Sequence, residues 1–159
     1  DPFGLVFDSR SGAAINGARV TLVDASTGQP AVVFGDDGVS RYPSVMITGA
    51  AVTDAGGTVY NLPAGVYRFP LVAPGQYRLV VQPPAGHAFP SEVLEPALQL
   101  LAGAPFRIGD GSYGRPFTAA APPAVANDPT YTGFRAGIRL VSGGWKFAYF
   151  VPGEGVLDR

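Results

Sequence analysis

The chain has 159 residues, which suits one domain or one domain with an appendage, and a hydrophobic content of 47% argues against disorder. Charged residues make up only 14%, the net charge is −1, and Lys and Arg are scattered singly, so we expect neither a nucleic-acid partner nor membrane insertion. Cysteine is absent, which excludes disulfides and cysteine-bound metals. Because the chain begins at Asp1 with no signal-peptide pattern, we expect a processed product or a piece of a longer protein.

Short apolar runs predict an all-β fold. Runs rich in Val, Tyr, Phe and Thr recur about every ten residues and are bounded by Gly, Pro, Asn or Asp, which is typical of short antiparallel strands. We predict strands, in chain order, at residues 5–7, 18–23, 31–34, 45–53 with a break at Gly49, 66–69 and 77–82. Alternation gives two of these strands a core-facing set of side chains, namely Ala18, Val20 and Leu22 in one and Tyr77, Leu79 and Val81 in the other.

The stretches between these strands carry turn signals. Asn16-Gly17 and residues 73–75 predict tight turns, and residues 35–44 predict a polar loop. Residues 91–102 predict a short helix, which a proline in its middle limits to about one turn on either side. Residues 104–118 predict one or two further strands.

The C-terminal part has the cleanest alternation. Residues 119–130 contain small residues and three prolines, and we predict a linker or crossover there. In residues 131–159 we predict a β-hairpin, in which a two-residue loop at Gly143-Gly144 pairs Ser142 with Trp145. The large apolar side chains then share one face, namely Phe134, Ile138, Leu140, Trp145, Phe147, Tyr149 and Val151.

That apolar face is too large to stay exposed on a soluble monomer. It is covered either by the chain's own domain or by a neighbouring copy, whose sheet the hairpin would complete by strand addition. These residues are therefore the predicted partner interface, and both arrangements stay open.

Four segments of the chain follow a pattern shared with a known superfamily. They are residues 4–12 (GLVFDSRSG), 17–24 (GARVTLVD), 53–57 (TDAGG) and 65–87 (GVYRFPLVAPGQYRLVVQPPAGH). In their turn chemistry and strand alternation, about residues 4–90 resemble the Cna B-type, SdrD B-like and carboxypeptidase-regulatory-like domains, which are transthyretin-like. His87 stands where that family usually has Tyr.

The resemblance implies a Greek-key β-sandwich, here residues 1–118, of the kind that occurs in tandem in stalks, pilins and adhesins of bacterial surfaces. The family often carries an internal Lys–Asn isopeptide bond. The only lysine here is Lys146, which lies in the predicted hairpin and not in an early strand, so we expect no such bond.

Candidate catalytic and metal-binding residues are few. His87, the only histidine, lies in a turn region, and without a Gly-x-Ser-x-Gly elbow in the chain we interpret it as structural. Asp36-Asp37-Gly38 and Asp110-Gly111-Ser112 are oxygen-rich, which leaves calcium open as a ligand, although neither has the spacing of a calcium loop. Glu92 and Glu95 lie side by side on a short turn, where no acid/base pair across a cleft is expected. We therefore predict that the chain is not an enzyme, and we assign no cofactor and no metal ligands.

Two functions remain. We predict a structural repeat module or subunit of an extracellular fibre, stalk or adhesin at the bacterial cell surface, whose partners are neighbouring copies or domains of the same protein. The alternative is a glycan- or protein-binding module of a secreted or cell-surface protein. An exposed coplanar row of aromatic side chains would favour that alternative, and its candidates are Tyr42, Tyr60, Tyr113, Tyr131 and Trp145.

Overall fold

The computed structural model describes residues 2–120 and, further on, residues 140–141 and 144–145. The described part consists of short antiparallel strands with almost no helix, so the prediction of an all-β fold is confirmed. Residues 121–139, which include most of the predicted linker, lie outside the described residues. In the described part of the chain, no helix has the length and apolar character needed to cross a bilayer.

The strands are short, and most match an apolar run of the sequence. They are β1 (Phe3–Leu5), β2 (Arg19–Asp24), β3 (Val33–Phe34), β4 (Arg41–Tyr42), β5 (Val45–Ile47), β6 (Val52–Thr53), β7 (Val59–Tyr60), β8 (Val66–Arg68), β9 (Gly75–Gln82), β10 (Phe117–Ala119), β11 (Leu140–Val141) and β12 (Gly144–Trp145). One helical turn, α1 (Glu95–Leu98), has proline in its first turn, and a 3-10 helix covers Asp110–Tyr113.

The largest sheet has four antiparallel strands in the order β10-β9-β2-β5. Its centre is the β2–β9 ladder, which runs from the Arg19–Gln82 pair to the Asp24–Tyr77 pair. Each strand of this ladder has one further neighbour: β2 also pairs with β5, and β9 also pairs with β10. The two longest strands are therefore central, and the two short strands are the edges.

The other strands of residues 2–120 form the pairs β1–β8, β3–β4 and β6–β7. Single backbone contacts join these pairs. Phe34 of β3 exchanges two hydrogen bonds with Leu71, which follows β8, at 2.9 and 3.0 Å. The N–H of Ala55, next to β6, donates to the carbonyl of Arg41 in β4 at 2.8 Å.

One core cluster joins the four-stranded sheet to these pairs. In β2 and just before it, Ala18, Val20 and Leu22 are fully buried, and in β9 Tyr77 and Leu79 are buried, as the alternation predicted. The side chains packed with them come from β3 to β8 and their flanks, namely Ala31, Val33, Tyr42, Met46, Val52, Tyr60 and Phe69. Each fully buried aliphatic or aromatic side chain contributes about 1.5–3 kcal/mol, so this cluster is the main source of stability.

Three expectations about the connections were incomplete. Residues 35–44 are not all loop, because Arg41 and Tyr42 form β4 and Tyr42 is buried. Residues 73–75 were predicted to form a tight turn, but the structure has only a bend at Pro74, and Gly75 already begins β9. Within residues 104–118, the stretch around residue 111 is a 3-10 helix, and the strand comes only at β10.

The predicted register of the C-terminal hairpin is wrong by two residues. Leu140 pairs with Trp145 and Val141 with Gly144, whereas the sequence predicted Ser142 opposite Trp145. A shift of the strand pairing by two residues leaves the same side chains on the same face of the hairpin. The alternation of apolar and polar residues is therefore equally consistent with both registers.

Candidate functional site: the open edges of the four-stranded sheet and a buried polar cluster

β5 is an open edge of the four-stranded sheet. Leu22 N–H donates to Ser44 O at 2.8 Å, and Thr48 N–H donates to Ala18 O at 2.9 Å. The backbone N–H and C=O groups of the even-numbered residues around β5 therefore point towards β2. In an antiparallel ladder the intervening residues point the other way, and the N–H groups of Val45 and Ile47 therefore face away from the sheet. In residues 2–120 no further strand pairs with this side of β5.

Thr48 fixes the end of this edge. Its side chain is almost fully buried, and its hydroxyl donates to Ile15 O at 2.7 Å and accepts from Ala18 N–H at 3.0 Å. A buried hydroxyl is tolerated in an apolar core when it both donates and accepts a hydrogen bond, as this one does. Thr48 thereby holds the chain entering β2 against the chain leaving β5.

β10 is the opposite open edge. The carbonyl of Gln76 accepts from Ala25 N–H at 2.9 Å. The backbone N–H and C=O groups of the even-numbered residues of β9 therefore point towards β2, and those of the odd-numbered residues point towards β10. Phe117 and Ala119 pair with these odd-numbered residues, which leaves the backbone polar groups of Thr118 directed outwards. Pro116 precedes β10 and lacks an N–H, so it shortens the bonding edge.

The outer face of this sheet is partly apolar. Thr21 lies between Val45 of β5 and Val80 of β9, which is 48% exposed. Arg19 lies between Ile47, which is 37% exposed, and Gln82. β-Branched side chains of this kind fit the pleated surface of a sheet.

Of the predicted partner-interface residues, the structure brings together Leu140 and Trp145, which lie opposite each other in the β11–β12 pair. The other five lie outside the described residues, and they are Phe134, Ile138, Phe147, Tyr149 and Val151. The predicted partner interface therefore remains a prediction from the sequence.

A buried polar cluster lies between β3, β6, β7 and β8. Asp54 is 5% exposed, and one carboxylate oxygen accepts from the N–H groups of Gly56 and Thr58 at 2.9 and 3.0 Å. Its other oxygen accepts from the hydroxyl of Tyr60 at 3.0 Å. The Tyr60 oxygen in turn accepts from Asp36 N–H at 3.0 Å, so one tyrosine joins the β6–β7 turn to the loop after β3.

Asp36 also binds an arginine of β8. Arg68 donates from Nη1 to Oδ2 at 3.1 Å and from Nη2 to Oδ1 at 2.5 Å. Such a two-pronged contact matches the planar guanidinium to the carboxylate. The sequence offered no signal for this pair, because the two residues are far apart along the chain.

Tyr42 packs against the same cluster. Its ring meets the rings of Tyr60 and Phe69 edge to face, with centroids 5.1 and 6.3 Å away. Its hydroxyl is buried and has no hydrogen-bond partner among the described residues. Burial raises the pKa of Tyr60 to about 12 and lifts the pKa of Tyr42 well above its usual range.

His87 meets an acid at the surface. Its Nε2 lies 3.4 Å from Oδ2 of Asp8, and about a third of each side chain is exposed. Asp8 Oδ1 accepts from Arg10 N–H at 2.7 Å, and this bond is the main reason that the pKa of Asp8 is lowered. The nearby hydroxyls of Ser9 and Ser91 bond to each other at 2.8 Å, so the contacts found here hold two loops together.

In the two oxygen-rich loops, the carboxylates of Asp37 and Asp110 bind other groups of the same chain. Asp37 accepts from the Ser40 hydroxyl at 2.6 Å and from two backbone N–H groups, and the hydroxyl bond is the main cause of its lowered pKa. Asp110 binds Arg115 at 3.0 Å. In residues 2–120 no group of three or more acidic, His or Cys side chains is placed to hold a metal ion.

The aromatic row that would mark a glycan-binding module is not formed by the candidates that the structure places with their side chains. Tyr42 and Tyr60 are buried in the core, and Tyr113 donates its hydroxyl to Val93 O at 3.0 Å. Tyr131 lies outside the described residues. An open depression of about 430 Å³ lies beside β4, and Arg41, Ser44, Thr53 and Asp54 contribute its polar lining.

Comparison with known proteins assigns no relative to this chain: no family model, no curated protein and no solved structure matches it.

Proposed function

We propose that this chain is a structural module of an extracellular fibre, stalk or adhesin of the bacterial cell surface, which joins neighbouring copies or domains of the same protein through β-strand contacts. In this proposal residues 1–118 are a transthyretin-like, Cna B-type Greek-key sandwich. The four-stranded sheet is one layer, and the pairs β1–β8, β3–β4 and β6–β7 form the other. The core cluster that joins them supports this arrangement.

The observation that carries the proposal is the contrast between the polar cluster, whose groups are bound within the chain, and the open edges of the four-stranded sheet. In the polar cluster, the carboxylates of Asp36 and Asp54 bind Arg68 and Tyr60 and so serve the fold. At the edges, β5 and β10 present unpaired backbone groups on opposite sides of one sheet. Open edges are the surfaces by which β modules add a strand from another chain.

The predicted C-terminal hairpin supplies the strand to be added. It follows β10 after a predicted linker, and its apolar alternation needs a cover that a neighbouring module can provide. A contact in which one surface of a module binds a different surface of the next is heterologous, and it propagates into a filament unless it closes into a ring.

The test compares self-association of the full chain with that of two hairpin variants. By alternation Phe147 belongs to the apolar face of the hairpin and Lys146 to the other face. We expect the unmodified chain to form elongated oligomers, visible by negative-stain microscopy and by sedimentation velocity. Phe147→Asp should shift the protein to monomers, whereas Lys146→Asp should leave the oligomers in place.

A chain that stays monomeric up to high concentration would contradict the proposal. Equal loss of assembly in both variants would also count against it, because the contact would then depend on charge and not on the apolar face.

A further inference from the structure

We infer that the open edge of β5 is the surface that receives the C-terminal hairpin of a second copy, so that the four-stranded sheet continues from one molecule into the next. This inference rests on the proposed function and names its docking surface. The occupant is residues 131–151 of the neighbouring copy, of which β11 and β12 are the described part.

The backbone of β5 presents free hydrogen-bonding groups along its outer edge. The N–H groups of Val45 and Ile47 and the carbonyl of Val45 point away from β2, whereas Ile47 O accepts from Ala50 N–H at 3.2 Å. The edge thus offers two donors and one acceptor in a row. An extended strand can satisfy all three by lying antiparallel or parallel to β5.

The β5 edge carries no charged side chain. Residues 44–53 contain no charged residue and no proline, and residues 45–48 are Val-Met-Ile-Thr. Soluble β proteins usually protect an edge with a lysine, a proline or a bulge. Each edge begins with a proline two residues before its first outward-directed backbone group, namely Pro43 before Val45 and Pro116 before Thr118. Beyond Pro43, the β5 edge carries no charge and no further proline. An uncharged edge of high β-propensity is a place where a further strand binds.

The C-terminal segment leaves the four-stranded sheet at the edge opposite to β5. It departs from β10, which lies three strand spacings from β5, a distance of about 14 Å. Residues 120–130 span at most about 36 Å when extended, which is long enough for the hairpin to reach an adjacent molecule. Because departure and docking occur at opposite edges, each copy can give a hairpin at one edge and receive one at the other.

The side-chain pattern of the hairpin fits this edge. Around β5, Met46 and Thr48 face the core, and Val45 and Ile47 face outwards. A strand added there continues both faces, so one set of its alternate residues must be apolar and the other can meet water. The hairpin sequence meets that demand, with Ile138 and Leu140 in one set and Arg139 between them.

The test blocks the β5 edge in the full chain. Val45→Pro removes the outward N–H of residue 45, which makes no hydrogen bond to β2. Ile47→Lys places a positive charge on the same edge. The matched controls are Leu5→Pro, at the open edge of β1, and Val59→Lys in β7, whose native side chain is 53% exposed. We expect each β5 variant to weaken self-association at least tenfold while circular dichroism stays unchanged, and each control to associate as the unmodified chain does.

A cross-linking experiment identifies the occupant, and the absence of native cysteine makes it clean. Val45→Cys protein is mixed with Arg139→Cys protein and treated with a short bis-maleimide, and Val59→Cys replaces Val45→Cys in the control. A mixed dimer in the first mixture but not in the control supports the inference.

The outcomes separate this inference from the proposed function. Self-association that survives both β5 substitutions, or a mixed dimer that forms equally with Val59→Cys, overturns the β5 assignment and leaves the proposed function standing. A monomeric unmodified chain overturns both.

Discussion

Arg68 and Asp36 form the two-pronged ion pair that connects β8 to the loop after β3, with nitrogen–oxygen distances of 3.1 and 2.5 Å. The arginine side chain is 11% exposed and that of the aspartate 40%. The contact is therefore shielded on one side and hydrated on the other. It anchors the loop that also carries the backbone donor to Tyr60.

Removing this arginine should destabilise the protein. We expect Arg68→Met to lower the free energy of unfolding by about 1–3 kcal/mol, because hydrogen bonds to charged groups are lost and Asp36 is left partly desolvated. The control is Arg115→Met, whose pair with Asp110 is 61% and 64% exposed and should contribute less than about 1 kcal/mol. Urea unfolding of the three proteins measures the difference, and equal values for the two variants would contradict the role given to Arg68.

Two neighbouring tyrosines should respond in opposite ways to loss of their hydroxyl. Tyr60→Phe removes the donor to Asp54 and the acceptor of Asp36 N–H, and we expect a loss of about 1–3 kcal/mol of unfolding free energy. Tyr42→Phe removes a buried hydroxyl that has no partner among the described residues, so we expect no loss and a gain of up to about 1 kcal/mol. Thermal and urea unfolding report both changes. A clear destabilisation by Tyr42→Phe would mean that its hydroxyl is bonded in solution.

Alkaline pH should unfold the protein through the same residues. The pKa of Tyr60 is raised by burial to about 12, above the value of 10.0 of an exposed tyrosine. A raised pKa means that the unfolded chain releases its proton first, so stability is fully present below pH 10 and is lost as the pH rises towards 12. Phenolate absorbance and unfolding free energy followed over this range should change together. In Tyr60→Phe the decline in unfolding free energy should be shallower, and an unchanged slope would show that other groups cause it.

The central strands could be predicted from the sequence because their information is local. In β2 and β9 apolar residues alternate with polar ones, turn residues bound them, and their predicted inward residues are buried except Val81, which is partly buried. The same reasoning gave no sign of β4, because Arg41 and Tyr42 lie among turn-forming residues and one buried tyrosine makes no periodic pattern. Its strand character comes from pairing with β3.

Partners within the site could not be predicted in the same way. Asp36 was a candidate calcium ligand because it stands beside Asp37 and Gly38, but the fold brings Arg68 to its carboxylate. The Asp8–His87 contact likewise joins residues that are far apart along the chain. Alternation and turn chemistry specify the face of a strand, whereas the meeting of two charged groups depends on how strands are ordered in the sheets. The hairpin register shows the same limit, since the predicted and observed pairings obey the same alternation.

The pairing of β2 with β9 has a consequence for how the protein acquires its structure. The central ladder joins residues 19–24 to residues 77–82, so everything between them must be made before the ladder can close. Proteins dominated by such distant contacts fold slowly, because the entropy lost in closing a long loop precedes the gain from pairing. During that delay the uncharged segment around β5 is synthesised and lacks its partner β2–β9 framework. The edge that we assign to assembly is therefore synthesised before the framework that holds it in place is complete.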